Sequence, residues 1–216
     1  MTTDIFIKTY PGDKGYHPHC IASIEKFCTG FRKTVVVDSD EPRGYLYQQV
    51  VKLTADRHTD ADFILITDSD TLFKQPVTPE TYLRDGKPLW LMTPWTPEML
   101  AHPGTRAWFG VMTEFFGVEP PAEWMRRQPF MIPRWALTGL QEFCFKEHGL
   151  SIEEYVMSRN AFSEFNVIGY YLWLFHRDKI HWIDTSVDPL PELTVVQLWS
   201  HGDLESNLQQ IRGILA

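Results

Sequence analysis

The 216-residue sequence lacks three features that would place it in a class at once. It has no apolar run near the ~18 residues that a membrane-spanning helix needs. Its first residues form neither a basic leader nor a long apolar segment, so we expect no secretory signal and a cytoplasmic protein. Its three cysteines, Cys20, Cys28 and Cys144, lack the spacing of a zinc knuckle and cannot all pair. Reduced thiols are therefore expected.

Positive charge is also scarce. The sequence has 20 Lys and Arg against 28 Asp and Glu, a net charge of -8, which argues against a protein whose whole surface binds nucleic acid. Carboxylates that converge on one site would add to this excess and would need a divalent cation. With 44% apolar and 22% charged residues the chain is of the globular class, and its length predicts a single domain over 1–216.

The first 75 residues alternate short apolar runs with amphipathic segments, which is the pattern of βαβ units around a parallel sheet. The spacing predicts strands at 4–10, 34–37 and 63–67 and helices at 17–28 and 44–57. The second and third strands run directly into acidic residues, beginning with Asp38 and Asp68. Because open α/β sheets bind ligands at the carboxyl ends of their strands, a functional site is predicted there.

The segment 88–135 has a different composition. It holds eight of the fifteen prolines and five of the eight tryptophans, which predicts short regular structure and aromatic surfaces suited to a substrate cleft, with core packing as the simpler role of any one tryptophan. Further along, we predict a helix at 137–147 and a buried helix at 167–176, with Ser163 as an N-cap before it. Strands at 181–183 and 195–199 and a final amphipathic helix complete the prediction.

Asp68 and Asp70 carry the clearest chemical signal. Both follow a buried strand with one residue between them, so their carboxylates are predicted to face one small volume. Mg²⁺ and Mn²⁺ bind such oxygen ligands together with substrate phosphates. A solvated turn is the alternative interpretation of an Asp-x-Asp sequence taken alone.

In the order and spacing of several segments, the sequence resembles small nucleotide-sugar glycosyltransferases of the GT-A fold. The matching segments are residues 4–10, 47–53, 68–71, 163–165 and 199–201. The resemblance implies an α/β fold with a Rossmann-type, mostly parallel central sheet and flanking helices. It divides the chain into a nucleotide-sugar-binding part, 1–87, and an acceptor-side part, 88–216, with the Pro/Trp-rich insertion and a C-terminal metal-ligand segment.

The resemblance also implies a metal site. It assigns Asp70 to the metal, Asp68 to the metal or the donor sugar, and His201 to the completion of the metal site. The expected cofactor is Mn²⁺ or Mg²⁺, for which a neutral imidazole is a good ligand.

Donor-binding residues are predicted on the neighbouring elements. Tyr10 and Asp38, or Asp40 in place of Asp38, would contact the nucleoside, although residues 38–42 are equally consistent with a turn that caps the next helix. Lys52 and Gln48 lie four apart on one helix face, which the resemblance directs at the donor. Lys52 would neutralise phosphate charge, whereas an exposed Gln-Lys pair is the ordinary alternative.

Glu164 and Asp68 are the candidate catalytic residues. From the start of a helix, Glu164 would take the proton from an attacking hydroxyl if the transfer inverts the anomeric configuration. In a retaining reaction it would orient the donor or acceptor instead. Placement in the first turn for the sake of the helix dipole is the structural alternative.

The predicted function is transfer of a sugar from a nucleoside-diphosphate sugar, foremost a UDP-sugar, to an acceptor hydroxyl. The acceptor is a glycan, a lipid-linked sugar or, as in small phage-type enzymes, a hydroxymethylated pyrimidine in DNA. Arginines and aromatics interleaved from 124 to 135 favour DNA, while the net charge of -8 opposes it. A haloacid-dehalogenase-like phosphatase with Asp68 as nucleophile and an inactive transferase-fold binding module are the alternatives.

Overall fold

The computed structural model describes residues 1–38, 44–126, 128–198 and 204–216. Within these residues the strands are β1 Thr3–Thr9, β2 Thr34–Asp38, β3 Phe63–Asp68, β4 Thr71–Phe73, β5 Leu83–Arg84, β6 Lys87–Pro94, β7 Ala122–Glu123, β8 Phe130–Pro133, β9 His181–Asp184 and β10 Val195–Gln197. The helices are α1 His17–Phe27, α2 Gly44–Leu53, α3 Pro97–Ala101, α4 Pro103–Phe116, α5 Arg134–His148, α6 Ile152–Met157, α7 Glu164–Phe175 and α8 Leu204–Leu215.

The central sheet has the strand order β2-β1-β3-β8. β1 pairs in parallel with β2 and β3, and β8 runs antiparallel to β3. The predicted mixed α/β fold with a mostly parallel central sheet and flanking helices is therefore confirmed. β6 pairs with β5, β7 and β9 in a second sheet, and β4 pairs with β10.

The apolar runs of β1 and β3 are long because both faces of the central sheet are covered. Phe6 and Ile64 belong to the larger core cluster, which also holds residues of α2, α5, α6 and α7. Ile5 and Leu65 point to the other face, where α1 covers them. Among the described residues, β2, predicted from its fully apolar run, is the edge strand of this sheet and pairs with β1. It is therefore half exposed, and Val36 is 40% exposed.

The prediction of short regular structure over 88–135 is wrong. β6 has eight residues and α4 has fourteen. Proline did not prevent a long helix because Pro103 occupies its first turn, where no intrahelical N–H bond is lost. Trp90 and Trp124 are buried in the core, which is the simpler of the two roles predicted for a tryptophan. Trp135, in contrast, is 40% exposed.

Other predicted elements occur with shifted ends. The helix predicted at 44–57 ends at Leu53 and is followed by a 3₁₀ turn, while the one predicted at 137–147 begins at Arg134. The three cysteines are free thiols, as expected. Among the described helices, none is both long and apolar enough to cross a membrane.

Candidate active site

Two acidic strand ends lie at the carboxyl edge of the central sheet, as predicted. Asp38, at the end of β2, is in register with Thr9, and Asp68, at the end of β3, is in register with Lys8. Since β1 lies between them, the two strand ends are about 10 Å apart at a strand spacing of ~4.8 Å. Asp38 is exposed, whereas the side chain of Asp68 is 23% exposed.

Lys52 joins Asp68 to Glu164 in a buried cluster, which we call the Lys52 cluster. The Lys52 Nζ lies 2.6 Å from Asp68 Oδ1 and 2.8 Å from Glu164 Oε1. The side chains of Lys52 and Glu164 are each 4% exposed. The Lys52 ammonium also lies 5.0 Å from the centre of the Phe165 ring, a cation–π contact that closes another side of the cluster.

Lys52 and Asp68 stay charged because their partners affect the two pKa values more strongly than burial does. Burial by itself would lower the pKa of Lys52, but the charges and hydrogen bonds of Asp68 and Glu164 raise it above its ordinary value. Burial likewise favours a raised pKa for Asp68, yet the charge of Lys52 and hydrogen bonds from Lys52 and Gln128 lower it. Lys52 and Asp68 are therefore both ionised at neutral pH.

Two glutamines that the sequence analysis missed hold the Asp-Ser-Asp segment. The amide of Gln128 makes a double contact: its Nε2 donates to Asp68 Oδ2, and its Oε1 accepts from the Asp68 backbone N–H at 3.0 Å. Gln197 Nε2 lies 3.5 Å from Asp68 Oδ2 and 3.4 Å from Asp70 Oδ1. One amide therefore reaches both carboxylates, which face one small volume as predicted.

The start of α7 is positioned by α2. Gln49, which is 1% exposed, accepts the Glu164 backbone N–H at 3.1 Å through its Oε1. Ser163 occupies the predicted N-cap position, but its side chain does not cap the helix and instead accepts a hydrogen bond from Asn166 Nδ2 at 2.9 Å. Gln49 was missed because it precedes Lys52 by three residues, while the sequence analysis paired Lys52 with Gln48, four residues before it.

The remaining predicted site residues fall in three places. Tyr10 is 44% exposed. It follows β1 at the carboxyl edge, and β1 is the neighbour of the strand that ends in Asp38. Gln48 is half-buried and takes part in none of the cluster's hydrogen bonds among the described residues. Asp40 and His201 lie outside the described residues.

The arginine and aromatic segment 124–135 does not form one continuous surface. β8 runs antiparallel to β3, so Arg126 precedes it at the carboxyl edge and Arg134 follows it at the amino edge. Arg126 pairs with the buried Glu123, and Phe130 belongs to the core. Arg127 lies outside the described residues.

The carboxylates of Asp68 and Asp70 fit a hard divalent cation in donor chemistry. Within the part of the chain that the structure describes, no group of three or more His, Cys, Asp or Glu side chains is close enough to hold a metal. His201, the predicted third ligand, lies outside the described residues, and the metal site stays a prediction.

Solved glycosyltransferase structures are similar to this chain along nearly its whole length. The galactosyltransferase LgtC, in complex with donor and acceptor sugar analogs, has a TM-score of 0.52 and 10% identity over 99% of this chain and 96% of its own. A glycosyltransferase involved in glycosylation of the major capsid of PBCV-1 has a TM-score of 0.48 and 9% identity, over 99% and 100%. The apo form of the glycosyltransferase GlyE from Streptococcus pneumoniae TIGR4 has a TM-score of 0.44 and 10% identity, over 99% of this chain and 63% of its own.

At these identities the likeness is one of fold. Of the three, LgtC has a TM-score above 0.5, and it supports a GT-A-like architecture for this chain. No curated protein matches the sequence. Residues 15–205 match the family model described as "Family of unknown function (DUF6492)". Since this match spans most of the sequence, the chain belongs to the DUF6492 family.

Proposed function

We propose that this protein is a metal-dependent glycosyltransferase that takes a sugar from a nucleoside-diphosphate sugar, foremost a UDP-sugar. In the reaction the bond between the anomeric carbon and the diphosphate oxygen breaks, and a bond to the acceptor oxygen forms. The acceptor hydroxyl gives its proton to the departing diphosphate, and the nucleoside diphosphate leaves. The GT-A-like fold supports the proposal, and one observation carries it: the buried Lys52 cluster at the carboxyl edge of the sheet.

The cluster is suited to bind the hydroxyls of a donor sugar. Carboxylates accept hydrogen bonds from hydroxyls, and an ammonium donates them. Lys52 holds Asp68 and Glu164 at fixed positions, and Asp68 is the member most open to solvent, at 23% of its side chain. A sugar that approached from this side would meet a carboxylate already oriented by Lys52 and Gln128, so little ordering would be needed on binding.

The nucleoside is proposed to bind beside the cluster, at the exposed Tyr10 and Asp38. The tyrosine ring offers a stacking surface, and the aspartate accepts hydrogen bonds from ribose or base. Both follow neighbouring strands of the same edge. In this proposal the nucleoside and the sugar bind on either side of the end of β1.

The diphosphate needs positive charge that the cluster does not supply, because its single ammonium is shared between two carboxylates. We assign Asp70 and His201, with Asp68 beside them, to a Mn²⁺ or Mg²⁺ ion that also contacts the diphosphate. When bound, such an ion supplies a Lewis acid that stabilises the leaving nucleoside diphosphate. Gln197 orients Asp70 toward the same volume as Asp68.

Glu164 is proposed to act as a positioning residue. It is 3% exposed and bonded to Lys52, and its own backbone N–H is held by Gln49. A general base must reach the proton of the attacking hydroxyl, and a buried, paired carboxylate is poorly placed for that. The role of orienting the donor, which the sequence analysis kept for a retaining reaction, agrees better with this geometry.

The acceptor is proposed to be a glycan or a lipid-linked sugar ahead of modified DNA. The arginines that favoured DNA lie at opposite edges of the sheet where they are described, and Arg126 is paired with Glu123. The phosphatase alternative requires Asp68 to act as a nucleophile. Lys52 and Gln128 contact one carboxylate oxygen each, and the panel of ligands described next separates the two functions.

The test is a thermal-shift panel of UDP, GDP, CDP, TDP and their sugar conjugates, each with Mn²⁺ and with EDTA. A ligand that binds only the folded state at 100 times its Kd stabilises it by about 2.7 kcal/mol. We expect a rise in melting temperature with UDP and UDP-sugars that EDTA removes. Stabilisation by Mg²⁺ with a phosphate mimic, and by no nucleotide, would favour the phosphatase instead.

A further inference from the structure

A cavity of about 260 Å³ adjoins the Lys52 cluster through Gln128. Gln128 contributes to the cavity wall, and its amide also binds Asp68. The cavity and the acidic site therefore share one residue. The apolar part of the wall comes from Tyr82, Leu89, Leu91, Ile183 and Leu193.

Strand alternation explains why this wall is apolar. On β6, Trp90 packs into the larger core cluster, so its neighbours Leu89 and Leu91 point to the opposite face. Leu91 is in register with Ile183 of β9, which lies on the same face. Leu91 and Ile183 are each 8% exposed, yet neither belongs to any of the three core clusters of the described residues. Their apolar surface is turned toward the cavity.

The size and lining of the cavity indicate what fits it. Pockets for drug-sized ligands run from about 300 to 1,000 Å³, so this one admits a smaller group. Its polar side chains are Gln75, Thr81, Gln128, Glu192 and Thr194. The Thr194 hydroxyl is paired with that of Tyr82, and the Gln128 amide with Asp68, which leaves the aliphatic wall as the main binding surface. A flat apolar ring matches such a wall better than a fully hydroxylated sugar does, because the wall offers few hydrogen bonds to replace those with water.

We infer that this cavity binds an apolar group of the acceptor, about the size of one aromatic ring. The inference rests on the proposed function and deepens it: the acceptor is an amphipathic molecule whose hydroxyl lies on the Gln128 side, next to Asp68, while its apolar group enters the cavity. Gln128 then separates the reacting part of the acceptor from the part that is recognised.

Two leucines of one segment provide a matched test. Leu193 and Leu190 are each 43% exposed, but Leu193 lines the cavity and Leu190 does not. Both L193N and L190N are expected to fold, because each side chain is already open to solvent. Binding of phenyl and methyl glycosides of glucose, galactose and mannose is measured by calorimetry without donor.

We expect the wild type to bind the phenyl glycoside of at least one sugar tenfold or more tightly than the methyl glycoside of that sugar. L193N should reduce this preference to threefold or less, and L190N should keep it. Equal binding of phenyl and methyl glycosides, or an equal loss in both variants, overturns the inference.

Donor turnover and UDP binding with Mn²⁺ are measured on the same three proteins. Donor turnover without a phenyl preference overturns the cavity assignment alone. A phenyl preference without any nucleotide binding or donor turnover overturns the acceptor role together with the proposed function.

Discussion

Among the described residues, a cation is shared between two carboxylates at the amino edge of the central sheet and another at its carboxyl edge. The two groups differ in how far their side chains are exposed to water. At the amino edge, Arg32 binds Asp4 through Nε and Nη2 at 2.9 and 2.8 Å and Asp60 at 2.6 Å. At the carboxyl edge, Lys52 binds Asp68 and Glu164. Each edge thus has one cation and two carboxylates, a formal excess of one negative charge.

Solvent relieves that excess far more at the amino edge, since Asp68, the most open member of the Lys52 cluster, is 23% exposed. Asp60 is 81% exposed and Arg32 is 35% exposed, whereas Lys52 and Glu164 are 4% exposed. Charges in a low-dielectric site interact more strongly than charges near water. The same charge count therefore occurs at an edge open to water and at a largely buried one, and the buried one is the site proposed to bind the donor.

Of the substitutions considered, Lys52→Met should have the largest effect on stability and on turnover. It leaves two carboxylates together in a largely buried site, and removal of one partner of a buried ion pair costs about 3–5 kcal/mol. We expect a loss of this size in the free energy of unfolding, measured by urea titration, and loss of donor turnover.

The double variant K52M/E164Q is the control for that result. It removes one of the stranded charges, so part of the stability should return while turnover stays absent. Lys52→Arg keeps a cation and should lose much less stability than Lys52→Met. A loss below about 1 kcal/mol in Lys52→Met would show that the cluster is less coupled than its geometry indicates.

Asp70→Ala tests function at the carboxyl edge without breaking the Lys52 cluster. We expect Mn²⁺-dependent donor turnover to fall at least 100-fold, about 2.7 kcal/mol at 1.36 kcal/mol per tenfold change. Because the change removes a negative charge from an acidic group, the melting temperature should hold or rise. The exposed Asp178, changed to Asn, serves as the control and should keep full activity; a fully active Asp70→Ala would remove Asp70 from the site.

Asp4→Asn tests the amino edge. The Asp4 carboxylate is buried and accepts bonds from Arg32 and Thr59, and hydrogen bonds to charged groups contribute about 1.5–3 kcal/mol. The free energy of unfolding at pH 7 should fall by about that amount, while UDP binding stays unchanged. A change in UDP affinity would mean that the two edges are coupled.

The pH dependence of this variant has a definite sign. Burial favours a raised pKa for Asp4, but hydrogen bonds from Arg32 and Thr59 and the charge of Arg32 lower it in the folded state. Its stabilising contribution is therefore present above the unfolded pKa of about 3.9 and is lost as pH falls through the lower, folded value. Urea titrations between pH 7 and 3 should show the gap between wild type and Asp4→Asn closing at the acid end.

The acidic strand ends at the carboxyl edge could be predicted because their signal, an apolar run followed by an aspartate, lies within a few neighbouring residues. Apolar runs that end in Asp38 and Asp68 predict both the strands and the edge that they share. The segment 88–135 was mispredicted because proline count carries less information than proline position, as Pro103 in the first turn of α4 shows.

The contacts of the site were beyond such patterns. Lys52 meets Glu164 across 112 residues, and Gln128 meets Asp68 across 60. Nothing in the spacing of a glutamine indicates which distant carboxylate its amide will bind. The sequence analysis therefore identified the charged residues of the cluster and missed the amides that orient them.

A comparison of variants at Gln49 and Gln48 tests how much such an amide contributes to stability and to donor turnover. Both lie on the Lys52 side of α2, but Gln49 alone of the two accepts the Glu164 N–H. Gln49→Leu leaves that buried donor without its partner, so we expect a loss of about 1 kcal/mol in stability and a several-fold fall in donor turnover as Glu164 shifts. Gln48→Leu should change neither quantity. The opposite order of effects would mean that Gln48, which the four-residue spacing pairs with Lys52, contacts the donor and that Gln49 does not.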